Sequence, residues 1–218
     1  MMNPLTTDTQ HVVLLGDSIF DNAAYTMGEP DVIGHLRGVL PNPWRATLCA
    51  MDSSAISGLP AQIAQVPSDA SHLVVSIGGN DAILNSDVLN LPVSSTREAL
   101  LLFGARVTAF ETDYRQGISR VLELERPTIL CTIYNGKLHP DEAPTARIAL
   151  MLFNDVILRT AFDRGLDVLD LRAVCSQPAD YANPIEPSGR GGRKIALAIA
   201  GAAEDLAANR RSQVFGGA

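Results

Sequence analysis

The sequence predicts one doubly wound α/β domain, built on a parallel sheet of about five strands with helices on both faces. Five short apolar runs recur along the 218-residue chain, at residues 11–15, 45–51, 73–78, 128–134 and 167–171. Longer segments with helical spacing separate them. Near-continuous apolar strands that alternate with helices indicate a sheet that is buried on both faces. The chain shows no repeat and no linker, so we expect a single domain over residues 1–218 with tails at 1–10 and 210–218.

Helices are predicted between these runs. Ser95 and Glu98 resemble a capping box at the start of a long helix, and Gly165 is expected to end another. Residues 85–92 read as a loop. The predicted helices cover residues 31–40, 57–64, 95–125, 143–164 and 194–209. The helix at 143–164 is expected to bury one apolar stripe, formed by Ile148, Leu152, Val156, Ile157 and Phe162.

Net charge, apolar runs and cysteine spacing exclude several classes of protein. A net charge of −7 and the lack of a basic stripe argue against nucleic-acid binding. No apolar run has the length of a membrane span, and the N-terminal residues do not resemble a signal peptide, so a cytoplasmic location is expected. The three cysteines are far apart in sequence, which favours neither a disulfide framework nor a zinc site. We predict no cofactor and no metal ion.

Polar residues follow the first three predicted strands. Gly16-Asp17-Ser18 follows the first, Asp52-Ser53-Ser54 lies just after the second, and Gly79-Asn80-Asp81 follows the third. In open α/β sheets, ligands bind outside the carboxyl ends of the strands. Ser18 is there either a nucleophile whose own N–H helps to hold an oxyanion, or a simple helix cap. Small residues and side-chain amides at these ends are the parts that an oxyanion hole needs.

The pair Gly16-Asp17-Ser18 and Gly79-Asn80-Asp81 resembles the first and third sequence blocks of the SGNH (GDSL-type) hydrolases. The resemblance runs from about Val12 to Ala200. It implies a flavodoxin-like three-layer α/β/α fold and the hydrolysis of esters or acyl groups by a serine nucleophile, here Ser18. It also implies an oxyanion hole formed by the Ser18 amide, a backbone amide after the second strand and the Asn80 side chain.

Two positions depart from the family pattern. Ser53 stands where the family usually has a glycine, and a residue with a side chain is expected to alter the backbone there slightly. Before the last helix, Asn183 and Glu186 stand where the family has an Asp-x-x-His pair. No histidine follows His139, so the usual general base is missing.

Two replacement bases are open. Glu186 is the first, with a neutral Asn183 donating a hydrogen bond to its carboxylate. His139 is the second, because it follows the fourth strand and lies at the same edge of the sheet. His11, His35 and His72 fit less well. A metal site is a weaker alternative reading of the acidic residues at these strand ends, which are Asp17, Asp21, Asp52 and Asp81.

The sequence therefore predicts a serine ester hydrolase that acts on a small-molecule ester, without nucleic acid or membrane as a partner. The alternative is a catalytically impaired relative that binds a small acyl or carbohydrate ligand. Residues 82–106 are expected to form part of the pocket wall, with Leu89, Leu91, Leu101 and Phe103 as candidates for an apolar lining. Substrate identity and oligomeric state are not predicted.

Overall fold

A parallel six-stranded sheet organises the chain, which was analysed as a computed structural model that describes residues 9–208 and 214–215. The strand order is β2-β1-β3-β4-β5-β6. The bounds are β1 His11–Gly16, β2 Arg45–Leu48, β3 His72–Ser76, β4 Thr128–Cys131, β5 Asp167–Leu169 and β6 Val214–Phe215.

Helices connect the strands and cover both faces of the sheet. The bounds are α1 Val32–Val39, α2 Leu59–Ile63, α3 Gly79–Leu84, α4 Thr96–Leu122, α5 Ala143–Arg164, α6 Leu171–Val174 and α7 Gly189–Ala207. Short 3-10 helices lie at Ala23–Tyr25, Ile56–Gly58, Ser86–Asn90 and Pro178–Asp180.

Alternation along the strands divides the interior into two cores. Successive side chains of a strand point to opposite faces of a sheet. Val12 and Leu14 of β1 therefore pack with α1 and α7 on one face. Val13 and Leu15 pack with α4 and α5 on the other. The predicted three-layer, flavodoxin-like fold class is thereby confirmed, since the first five strands have the order 2-1-3-4-5.

The C-terminal end of the sheet differs from the prediction. Residues 210–218 were expected to be a tail, but Val214 and Phe215 form a sixth strand that pairs in parallel with Val168 and Leu169 of β5. The other residues of the predicted tails lie outside the described residues, except for 9 and 10.

Several predicted boundaries were wrong for local reasons. Residues 86–90 form a 3-10 helix within the predicted loop. Helix α7 begins at Gly189 rather than at Lys194, because the Ser188 hydroxyl accepts a hydrogen bond from the Gly191 N–H and caps the helix. Ser95 caps α4 through the Glu98 N–H, as expected. The Glu98 carboxylate, however, bonds to Ser94 and not to Ser95.

The predicted apolar stripe of α5 was also wrong in part. Val156 and Ile157 are buried, but Ile148 and Phe162 are mostly exposed. The buried face instead includes Phe153, Asn154 and Ala161. Asn154 lies there because its amide bonds to both the N–H and the carbonyl of Ile133, just after β4.

Across the part of the chain that the structure describes, no helix combines the length and the apolar character needed to cross a membrane. The cytoplasmic location stays a prediction.

Helix α5 ends at a left-handed residue, Gly165, with φ 63°. We expect Gly165→Ala to lower the free energy of unfolding by about 1 kcal/mol, because a Cβ disfavours this backbone conformation. Gly201 lies inside α7 and also has open space around it, but with an ordinary helical backbone. Gly201→Ala should therefore raise the free energy by about 0.5–1 kcal/mol. Urea unfolding measures the free energy of unfolding of both variants. A change in the same direction for both would contradict this explanation.

Candidate active site

Ser18 lies in the tight turn that follows β1. Gly16 has φ 140°, and a Cβ there would lie 1.8 Å from the Ser76 carbonyl oxygen of β3. Only glycine allows this close approach. The Asp17 N–H donates to the same carbonyl at 3.1 Å. The end of β1 is thus pinned to β3, which fixes where the chain turns into Ser18.

Gln62 of α2 supports the same turn, and sequence reasoning missed it. Its fully buried side chain accepts from the Gly16 N–H at 2.7 Å and donates to the Gly16 carbonyl at 2.8 Å. It also donates to the Ser54 hydroxyl at 3.0 Å. One amide therefore ties β1 to the loop after β2. A glutamine in a short helix belongs to no sequence pattern that would predict these hydrogen bonds.

Glu186 meets Ser18 across the carboxyl edge of the sheet. The Ser18 hydroxyl donates to Glu186 Oε1 at 3.0 Å. Both residues are buried, with 8% and 5% of their surfaces exposed. A nucleophile and its general base require this geometry, a hydroxyl within hydrogen-bond reach of a proton acceptor.

The segment that carries Glu186 is held by the loop after β4. The Tyr134 hydroxyl donates to the Ile185 carbonyl, and the Lys137 N–H donates to the Pro184 carbonyl at 2.7 Å. Gly136 has φ 71°, and a Cβ there would lie 2.6 Å from the Pro184 oxygen. These contacts fix the position of Glu186 relative to the carboxyl edge of the sheet.

Asn183 also positions Glu186, but not as predicted. Its side-chain oxygen accepts hydrogen bonds from the N–H groups of Ile185 and Glu186, at 2.9 and 2.8 Å. The expected hydrogen bond from the Asn183 amide to the Glu186 carboxylate is not among the hydrogen bonds of the described residues. Asn183 instead shapes the backbone of the turn, because an Asn side chain readily bonds to N–H groups two and three residues on.

Burial raises the pKa of Glu186 above its usual value. The hydrogen bond from Ser18 works in the opposite direction, and the negative charge of Asp52 raises the pKa further. Within the described residues, Glu186 Oε2 is buried without a hydrogen-bond partner. A carboxylate in this environment holds a proton more tightly than one in water, so it is a stronger base.

Asp17 is a second buried carboxyl beside the site. Burial raises its pKa from 3.8 to about 8, against the hydrogen bond that it accepts from the Ile19 N–H. The charges of Glu186 and Asp81 raise it further. The Asp17 side chain is therefore largely protonated at neutral pH, which limits the negative charge around Ser18.

The predicted oxyanion donors differ in whether they line the cavity that Ser18 faces. The Asn80 amide donates to the Ser54 carbonyl at 3.0 Å, and Asn80 and Ser18 both line one cavity. No hydrogen bond of residues 9–208 uses the Ser18 N–H. Ser53 adopts φ 60°, in the left-handed region that favours glycine, and the expected change of backbone at this position stays a prediction. Ser53 is exposed and does not line the cavity.

His139, the rival base, lies outside the lining of the cavity that Ser18 faces. Its side chain is 68% exposed, its Nδ1 lies 3.4 Å from an Asp141 carboxylate oxygen, and it does not line the cavity. His11 and His72 lie at the opposite edge of the sheet, where the strands begin. All four histidines are among the described residues, and none lines the cavity that Ser18 faces.

The other aspartates at the strand ends are engaged as hydrogen-bond acceptors. Asp52 accepts from the Tyr25 hydroxyl at 2.7 Å, and its own N–H donates to Asp21 at 2.9 Å. Asp81 accepts from the Ile56 N–H at 3.1 Å. These bonds hold the loops after β1, β2 and β3 against one another.

A cavity of about 580 Å³ opens from Ser18, Asn80 and Glu186. It continues between the segment 82–90, α4 and α5. Leu89 and Phe103 line it, whereas Leu91 and Leu101 do not. Leu101 is instead 69% exposed. The cavity has the size of an ordinary small-molecule site.

The sheet order, the two helical layers and the position of the serine turn define the class: the chain has the fold of SGNH-type hydrolases. Three solved structures illustrate the likeness. An extracellular lipase from Streptomyces rimosus has a TM-score of 0.64 at 15% identity, covering 88% of this chain and 100% of the lipase. A GDSL-like lipase from Bacteroides thetaiotaomicron has a TM-score of 0.62 at 13% identity, covering 90% and 89%.

The third structure is an acetyl xylan esterase variant from Geobacillus stearothermophilus, with a TM-score of 0.60 at 20% identity, covering 87% and 92%. No protein-family model matches the sequence, and no curated protein matches it. At these identities the likeness establishes the fold, while the roles of the residues depend on the site itself.

Asp17 gives the site a measurable effect of pH on stability. The folded state binds the Asp17 proton more tightly than the unfolded chain does, so ionisation destabilises the fold. We expect the free energy of unfolding to fall as pH rises from about 4 to about 8, the range between the two pKa values. In Asp17→Asn, which preserves the side-chain acceptor, this fall should be smaller by at least about 1 kcal/mol. Urea unfolding across that pH range measures both proteins, and parallel curves would contradict a raised Asp17 pKa.

Proposed function

We propose that the protein hydrolyses small-molecule esters, with Ser18 as nucleophile and Glu186 as general base. The observation that carries this proposal is the buried 3.0 Å hydrogen bond from the Ser18 hydroxyl to Glu186 Oε1. The cavity that opens at the same two residues supports it, because a carbonyl group can reach the Ser18 oxygen there. The lipases and esterases of the same fold give the proposal its reaction class.

In the first half of the reaction, Ser18 Oγ attacks the ester carbonyl carbon while its proton passes to Glu186 Oε1. The negative charge that develops on the carbonyl oxygen is stabilised by the Ser18 N–H and the Asn80 amide. When the tetrahedral intermediate collapses, the bond to the alcohol oxygen breaks and Glu186 gives its proton to that oxygen. An acyl-serine remains.

In the second half, water attacks the acyl-serine and loses its proton to Glu186. Collapse of the second intermediate releases the carboxylic acid, and the proton returns to Ser18 Oγ. Glu186 thus accepts and gives back one proton in each half, as a histidine does in the Ser-His-Asp triad. Its raised pKa supports this role, because a carboxylate with an ordinary pKa of about 4.3 is a weak base.

Asn183 completes the proposed machinery. The Ser53 N–H, which the sequence predicted as the backbone donor after β2, is used by no hydrogen bond of the described residues, but Ser53 lies outside the cavity lining, so the proposed oxyanion hole has the Ser18 N–H and the Asn80 amide as its donors. Asn183 is a positioning residue that holds the Glu186 backbone through its N–H.

A second candidate function is binding of a small acyl or carbohydrate ligand without turnover. The observation that favours it is that none of the described residues around the cavity is a histidine. Binding of a ligand in the cavity does not require a general base. The two candidates differ in whether Ser18 is activated.

Hydrolysis of p-nitrophenyl esters by Glu186→Gln separates them. This substitution preserves the shape of the side chain but removes the base, so kcat/KM should fall by about 10²–10⁴-fold. Ser18→Ala should abolish the esterase activity. Wild-type esterase activity that survives unchanged in Glu186→Gln would contradict the proposed base.

Two controls accompany this measurement. His139→Ala removes the rival base and should leave kcat/KM within about twofold of the wild type, since His139 lies outside the cavity. Glu186→Gln should also unfold at a urea concentration no lower than the wild type at neutral pH, because it removes a buried carboxylate whose ionisation opposes folding. A low activity of that variant is then not due to misfolding.

A further inference from the structure

The cavity extends well beyond the reacting groups, and most of its far lining is apolar. One face of α5 supplies Ala146, Ala149, Leu150 and Phe153, at the three- and four-residue spacing of a single helical face. The segment after β3 adds Ile83, Val88 and Leu89, and α4 adds Phe103. The polar residues of this part are Asn85, Ser86, Asn90 and Thr145. Burying methylene groups against such a wall is favourable, at about fourfold in affinity for each.

The charges around the cavity have one sign. Its described lining includes the acidic residues Asp141, Glu142 and Glu186, besides Asp17 with its raised pKa, and no lysine or arginine. Carboxylate and phosphate ligands are normally held by arginine or lysine. An anionic substrate would therefore find no cation in this lining and would face carboxylates.

The position of Glu186 indicates which part of an ester the apolar region holds. The leaving alcohol takes its proton from Glu186, so it departs on the side of that residue. Asn80, the proposed oxyanion donor, and Ile83 lie three residues apart on α3 and share one helical face. The apolar wall therefore continues from the proposed oxyanion donor of the carbonyl group, and the acyl chain is assigned to it while the leaving alcohol is assigned to the side of Glu186.

We propose that the substrates are uncharged esters whose acyl chain has several carbons, bound between α5 and the segment 82–90. This substrate class presupposes the ester hydrolysis proposed above. Ala146 and Ala149 determine the length of chain that fits, because their small side chains leave the space that the chain fills. Ile83 and Leu89, which are 48% and 39% exposed, form part of the cavity wall nearest to solvent.

A set of p-nitrophenyl esters tests the substrate class on the full chain. For the wild type, kcat/KM should be at least about tenfold higher for the octanoate than for the acetate. The mono-ester of suberic acid matches the octanoate in chain length but ends in a carboxylate, and it should react at least about tenfold more slowly. Equal rates for acetate and octanoate, or a faster reaction of the suberate, would overturn the proposal.

Variants of α5 test the position of the chain. Ala149→Leu, or Ala146→Leu if the first variant does not fold, should lower kcat/KM for the octanoate at least about tenfold and leave the acetate within about twofold. Ala109→Leu is the matched control, since Ala109 lies exposed on α4 and does not line the cavity. It should change neither rate. An equal fall for both esters in the α5 variants would overturn the assignment of the wall.

Binding to Ser18→Ala separates this proposal from ester hydrolysis itself. Calorimetric titration with methyl octanoate should show binding that Ala149→Leu weakens in the same background, and methyl acetate should bind more weakly. Chain-dependent binding without any wild-type turnover would refute the hydrolase proposal and leave the ligand class of the cavity supported. Loss of both turnover and chain-dependent binding would overturn the proposal made here.

Discussion

The site depends on a hydrogen bond between a serine and a glutamate that are far apart in sequence and both buried. Ionised Glu186 is costly to bury, because no ion pair of the described residues includes it and its Oε2 has no hydrogen-bond partner among them. The fold must therefore hold the carboxylate in place by other means. That cost is also what raises its pKa, so the feature that opposes folding is the one that makes the carboxylate a useful base.

Two sets of contacts hold the pair together. Gln62 and the Gly16 turn fix Ser18 to the sheet, and the loop after β4 fixes the backbone just before Glu186. Each set uses a glycine where an added Cβ would lie within 3 Å of a carbonyl oxygen, at Gly16 and at Gly136. Backbone contacts of this kind cannot shift by rotating a side chain. The distance between Ser18 and Glu186 is consequently set by the rigid part of the fold.

The sequence predicted the parts of this arrangement that follow from strand order. The carboxyl ends of parallel strands meet at one edge of a sheet, so Ser18 and Asn80 were expected to lie together there, and both line the same cavity. Gln62 and Tyr134 could not be found in this way, because their bonds join backbone groups that are distant in sequence. The partly exposed stripe of α5 escaped prediction because tertiary contacts, such as those of Phe153 and Asn154, decide which face of the helix is buried.

The most direct test is the rate at which a neutral alkyl phosphonate ester modifies Ser18, followed by peptide mapping and mass spectrometry. Phosphonylation needs an activated serine but no turnover, so it reports on the Ser18–Glu186 pair alone. We expect a single adduct on the peptide that contains Ser18, formed faster as pH rises through the pKa of Glu186 and at least about a hundredfold more slowly in Glu186→Gln. Modification at the same rate in Glu186→Gln, or no modification of the folded wild type, would contradict a serine activated by glutamate.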